Sequence, residues 1–107
     1  MIEALDINVK GIVQGVGFRP FIYRLAKRYL VKGWVLNAVD GVFIHAEAES
    51  NLLDGFVVEI SDNAPAAARV ERITMKEVPL QGCTDFEIRF SNDAQTADTT
   101  LVSPDLA

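Results

Sequence analysis

The 107-residue chain has one cysteine, Cys83, one histidine, His45, and one tryptophan, Trp34. A lone cysteine excludes an internal disulfide and cannot by itself build a cysteine-rich metal centre, which fits a reducing compartment, with the cytoplasm as the expected location. No apolar run approaches the roughly 18 residues of a membrane span, and the opening MIEALDINVK places Glu3 and Asp6 where a leader would be apolar. No membrane partner is expected. Positive charge is also scarce: 10 Lys and Arg face 15 Asp and Glu, a net charge of −5, which argues against nucleic-acid binding through the phosphate backbone. Neither a P-loop pattern nor a GxGxxG fingerprint is present, so nothing calls for a nucleotide or any other cofactor.

What the chain does contain is a 50% hydrophobic composition, enough for one compact core and too short for two ordinary domains. Its charge is unevenly spread. Residues 1–32 hold six basic and two acidic side chains, and the remaining 75 hold four and thirteen, so the two parts carry +4 and −9. A local anion site can therefore exist within an acidic protein.

Leu5, Ile7 and Val9 alternate with Asp6, Asn8 and Lys10, predicting a half-buried strand that runs to about Ile12. From Pro20 to Val31, Phe21, Ile22, Leu25, Ala26, Tyr29 and Leu30 recur at helical spacing, with Arg24, Lys27 and Arg28 opposite. Two strands at about 34–39 and 42–49 flank the hairpin dipeptide Asp40-Gly41, and a second helix is expected from about Asn51 to Ser61. RVERITMKEVP reads as a strand ended by Pro79, and the alternation of Phe86, Ile88 and Phe90 marks a last one. The order β-α-β-β-α-β plus a closing strand predicts an α+β, ferredoxin-like sandwich: an antiparallel sheet with both helices on one face. Residues 1–91 form the expected domain. Residues 92–107 are polar and aperiodic and read as a tail or linker.

Between the first strand and first helix stands GIVQGVGFRPF, residues 11–21. Gly15 and Gly17 permit positive φ and close approach of backbone to a ligand, and the loop opens into a helix whose N-terminal dipole favours negative charge. Pro20 has no N–H, so converging donors must come from about Gly15 to Arg19, and Arg19 adds a planar, permanently charged fork suited to phosphate oxygens. That combination makes a small phosphate cradle. The same residues also fit a tight β-α turn in which the glycines serve geometry alone and Arg19 is solvated.

Gly11-Ile12-Val13-Gln14-Gly15-Val16-Gly17-Phe18-Arg19 resembles the signature of the acylphosphatases, and Gly33-Trp34-Val35-Leu36-Asn37 followed by Asp40-Gly41-Val42 resembles that family's second block. The likeness covers roughly residues 4–91 and implies the acylphosphatase-like fold. It also implies a catalytic pair, Arg19 and Asn37, a phosphate loop formed by Gln14, Gly15, Val16, Gly17, Phe18 and Arg19, and hydrolysis of an acyl phosphate without a metal. Such a substrate has a good carboxylate leaving group, so its hydrolysis needs mainly phosphoryl charge stabilisation and a positioned water. Inorganic phosphate is then a product and competitor. Three further stretches, Arg19-Pro20-Phe21, ARVERITMKEVP and TTLVSPDLA, resemble the N-terminal domain of HypF-type carbamoyltransferases of nickel-iron hydrogenase maturation. That narrower likeness implies carbamoyl phosphate as substrate, further carbamoyltransferase domains downstream, and hydrogenase-maturation proteins as partners. A stand-alone acylphosphatase and a module that only binds carbamoyl phosphate are the competing readings.

The other reactive side chains read as structural. His45 is expected on the less buried face of its strand, with no Cys or acid cluster at ligand spacing. Cys83 follows Gly82 in a connecting loop with no recognisable activating base, and Trp34 reads as core packing. RNA binding on the sheet would require stacking aromatics in an RRM-type motif and a basic surface, and neither is evident.

Overall fold

The computed structural model describes residues 1–90, so the tail expected at 92–107 lies outside the described residues. The elements are β1 (Ile2–Ile12), α1 (Phe18–Arg28), β2 (Lys32–Ala38), β3 (Gly41–Glu49), α2 (Ser50–Asp62), β4 (Arg69–Val78) and β5 (Phe86–Ile88). They form a five-stranded sheet of order β4-β1-β3-β2-β5. The ferredoxin-like α+β arrangement expected from the element order is the one observed.

One expectation about the sheet needs correction. β1–β3, β1–β4 and β2–β3 are antiparallel, but β5 runs parallel to β2, so the sheet is mixed. β4 and β5 are consecutive in the chain yet lie on opposite edges. Residues 79–85 therefore carry the chain past the end of the sheet where β3 finishes and β2 starts, and β5 enters alongside β2 in the same direction.

α1 begins two residues before Pro20, because a proline in the first helical turn loses no intrahelical bond. It ends where Leu30 turns to φ 57°, and Val31 N–H closes the end by donating to Ala26 O at 2.8 Å. Lys27 and Arg28 occupy its last turn, where positive charge suits the helix dipole. The cross-strand rows Ile7–Ile44–Val35 and Val9–Val42 line the sheet face that Phe18, Ile22, Leu25, Leu53, Phe56 and Ile60 cover from the helices. Each of these side chains is essentially withdrawn from water, and burying one contributes roughly 1.5–3 kcal/mol. Tyr29 donates its hydroxyl proton to Glu59, linking the end of α1 to α2.

The opposite face is not open where His45 stands. His45 is fully buried, because Trp34 stacks on its ring at 4.6 Å and Arg89 in turn lies 4.0 Å above Trp34. Trp34 is thus half-buried on this face and is not a residue of the main core. Alternation along β3 assigned His45 to the correct face. What covers that face comes from β2, β5 and the 79–85 connection, none of which is local to β3.

Candidate active site

The loop from Gln14 to Gly17 joins β1 to α1 as a series of turns. Gly15 has φ 74° and Gly17 φ 78°, a left-handed conformation that side chains with a Cβ rarely adopt. A Cβ at either position would meet no atom within 4 Å, so backbone conformation and not crowding makes glycine necessary there. Gly17 is the N-cap of α1 and offers no side-chain acceptor, and the first turn holds no acidic residue. Among the described residues, no backbone N–H from Gly15 to Arg19 reaches a protein acceptor at hydrogen-bonding geometry. The result is a group of donors at a positive helix end, with no internal carboxylate competing for them.

The members of this loop do different work. Phe18 buries its ring against Phe21, with centroids 5.5 Å apart, and Val16 packs partly against the core, so both can serve a ligand only through their N–H groups. Gln14 was expected within the phosphate loop, but its side chain faces the neighbouring hairpin. Its Nε2 donates to Ala38 O at 2.5 Å and to Gly41 O at 2.7 Å. Both protons of one amide therefore hold the loop against the β2–β3 turn. Sequence reasoning missed this role, which needs the hairpin's placement across the sheet.

Arg19 lies in the first turn of α1, and its Nη1 donates to Arg89 O at 3.2 Å while the guanidinium rests 5.6 Å from the Phe90 ring. Arg89 N–H in turn donates to Val35 O at 2.8 Å, two residues before Asn37 on β2. Only part of the guanidinium fork is used in this contact, leaving N–H groups for an anion. Arg89, the residue after β5, therefore ties Arg19 to β2 two residues before Asn37, which is 18 positions from Arg19 in sequence. Lys27 Nζ, 2.7 Å from Asp85, secures the approach to β5, and this hydrogen bond holds the Asp85 carboxyl below its ordinary range.

Asn37 lies near the end of β2 on the helix-covered face, in register with Val42 and one residue before the Ala38 carbonyl that Gln14 grips. Its Oδ1 is buried and has no hydrogen-bond partner among the described residues. A buried amide oxygen left in that condition costs about 1–3 kcal/mol, so it calls for a donor from outside the protein. A water or a substrate hydrogen would supply one.

Among the described residues, His45, Glu47 and Cys83 are the one group of potential metal ligands that converges, and they lie on the other sheet face, away from the loop. Sequence spacing shows no such cluster around His45, because 36 residues separate Glu47 from Cys83 and only the fold brings them together. A cleft of about 550 Å³ flanks the loop near Gly11 and Val39, lined by Lys10, Asp40 and Glu71, so its charge gives an anion no net attraction.

A model of the acylphosphatase family matches residues 5–88. The chain belongs to the acylphosphatase family. An acylphosphatase of Thermotoga maritima is 48% identical over 89 residues, covering 82% of this chain and 98% of that protein. The carbamoyltransferase HypF of a Synechocystis species is 35% identical over 107 residues, covering 100% of this chain but 14% of its own length. Among solved structures, acylphosphatase from Bacillus subtilis aligns with a TM-score of 0.75 and 40% identity over 83% of this chain and 99% of that one. Full-length HypF in a phosphate- and nucleotide-bound form aligns with a TM-score of 0.81 and 40% identity, over 83% of this chain and 12% of that one. The acylphosphatase fold is thus shared with stand-alone enzymes and with the corresponding part of much longer carbamoyltransferases.

Proposed function

We propose that this acylphosphatase domain hydrolyses acyl phosphates, with carbamoyl phosphate as its substrate. The phosphoryl group would sit on the N–H groups of residues 14–19, with the Arg19 fork neutralising its equatorial oxygens. Asn37 would accept a hydrogen bond from the attacking water through Oδ1. Water attacks phosphorus, the bond to the acyl oxygen breaks with its electron pair leaving on the carboxylate or carbamate, and the proton passes from water to a phosphoryl oxygen. No protein base is required, because a phosphoryl oxygen takes the water's proton, and no protein acid, because the leaving group is stable without protonation.

The observation that carries this reading is the buried, unpartnered Asn37 Oδ1 beside a loop whose donors and Arg19 suit an anion. Similarity to HypF through all 107 residues, against 89 for the Thermotoga acylphosphatase, supports carbamoyl phosphate as the particular acyl phosphate. It also supports a place for this domain in hydrogenase maturation, in the cytoplasm and alongside carbamoyltransferase domains. Kinetics of Asn37→Ala test the division of labour. The rate constant for turnover should fall at least tenfold while inhibition by inorganic phosphate changes less than threefold. Equal losses of both would assign Asn37 to phosphate binding and defeat the water-positioning role.

A further inference from the structure

The buried group on the far sheet face has the composition of a metal site. Asp6, His45 and Trp34 form one cross-strand row over β1, β3 and β2, and Glu47 follows His45 two positions along on the same face. His45 Nδ1 is 2.7 Å from Asp6 Oδ1, and its Nε2 is 2.7 Å from Glu47 Oε2. The 79–85 connection brings Cys83 to the same place, so that one ligand atom each from His45, Glu47 and Cys83 lies within 4.8 Å of the others.

We propose that His45, Glu47 and Cys83 bind a zinc ion, at a site separate from the phosphate loop. The donor set is one imidazole nitrogen, one carboxylate oxygen and one thiolate, which matches the borderline softness of zinc and excludes magnesium or calcium as preferred occupants. Asp6 already holds the remaining ring nitrogen, the carboxylate–histidine arrangement that orients metal-binding imidazoles. Glu47 Oε1 accepts a hydrogen bond from Cys83 N–H at 3.2 Å, and a carboxylate oxygen has a second lone pair to offer a metal. Tetrahedral zinc places its ligand atoms roughly 3.3–3.8 Å apart, so the widest pair would close by about 1 Å while His45 Nε2 and Glu47 Oε2, now 2.7 Å apart, would separate to admit the ion.

A cleft of about 520 Å³ is bordered by Glu47, Gly82 and Cys83 together with Leu30, Leu52 and Leu80, which gives an ion a route to two of the three ligands. Zinc would displace the proton between His45 and Glu47 and the thiol proton of Cys83, releasing both to solvent. The ion would fasten the 79–85 connection to β3. Glu47 and Asn37 lie five positions apart along the β2–β3 ladder, about 16 Å, and on opposite faces, so the ion would take no part in phosphoryl chemistry.

Cobalt titration of the whole, reduced chain tests the proposal. One equivalent of Co²⁺ should bind and show thiolate-to-cobalt absorption, which reports Cys83 alone because the chain has one cysteine. Zinc should displace it. Cys83→Ser should abolish the band and weaken zinc binding at least tenfold, and Asp6→Asn, which keeps all three ligands, should weaken it about 10–100-fold. In the unmodified chain, saturating zinc should slow alkylation of Cys83 at least tenfold, a result that depends on no variant's folding. Absence of stoichiometric cobalt binding, cobalt bound without a thiolate band, or alkylation indifferent to zinc would each overturn the site.

Discussion

The most informative single substitution is Gln14→Ala, because the Gln14 side chain joins the two halves of the site and is turned toward the hairpin, while the backbone N–H that would face substrate is retained. Its amide makes two hydrogen bonds, to Ala38 O and Gly41 O, one in an exposed and one in a partly buried setting. Each such bond contributes about 0.5–1.5 kcal/mol net, and the freed carbonyls lie near enough to solvent to recover part of that. A loss of about 1–2 kcal/mol in unfolding free energy follows. The functional consequence comes from position: Ala38 adjoins Asn37, so releasing the hairpin loosens the distance between the water-positioning amide and the phosphate loop. If about 1.4 kcal/mol of this alignment is lost from the transition state, turnover falls about tenfold. Gln14→Glu should be worse, since it would set carboxylate oxygens against two carbonyl oxygens. Denaturant unfolding combined with acyl-phosphate kinetics measures both effects. Unchanged turnover and unchanged stability in Gln14→Ala would refute the idea that this amide aligns the site.

Three further outcomes are expected. Titration with inorganic phosphate should move amide resonances chiefly at residues 14–19, and a chelator should leave turnover unchanged, because the site's cation is Arg19; shifts centred elsewhere, or chelator-sensitive turnover, would contradict this. Glu47 provides a pH test: burial opposes its ionisation, but N–H donation from Gln81, the His45 ring and Cys83 together hold its pKa below the ordinary value of 4.5. A depressed carboxyl pKa stabilises the fold above the unfolded value and loses that contribution as pH falls through the folded value. Unfolding free energy should therefore decline below about pH 4.5 in the metal-free chain, and Glu47→Gln should remove part of that slope; an identical acid profile in the variant would rule the contribution out.

The features legible in the sequence were those encoded by neighbouring residues. The alternation of Leu5, Ile7 and Val9, the helical spacing from Phe21 to Leu30 and the Asp40-Gly41 turn each specify an element locally, and their order suffices for the α+β class. Gly15, Gly17 and Arg19 could be found because an anion-binding loop at a helix start is continuous in sequence. The direction of β5 was not legible, since it depends on a connection that passes the end of the sheet instead of turning back. The same connection brings Cys83 to Glu47, and Trp34 from β2 covers His45, so the ligand group could not be seen from spacing. Gln14's grip on the hairpin and Arg19's contact with Arg89 likewise join segments that only the sheet order places side by side.

The central claim is that Arg19 and the loop amides hold the phosphoryl group through its transition state. Hydrolysis of carbamoyl phosphate by the unmodified chain and by Arg19→Ala, with unfolding measured alongside, tests this most directly. Removing a preorganised charge donor of this kind costs about 10²–10³-fold in turnover. The account predicts measurable hydrolysis by the unmodified chain and a loss of at least about 100-fold in Arg19→Ala with folding intact, and Arg19→Lys should recover little, since an ammonium cannot reproduce the guanidinium fork. Near-normal turnover in a folded Arg19→Ala protein would contradict it.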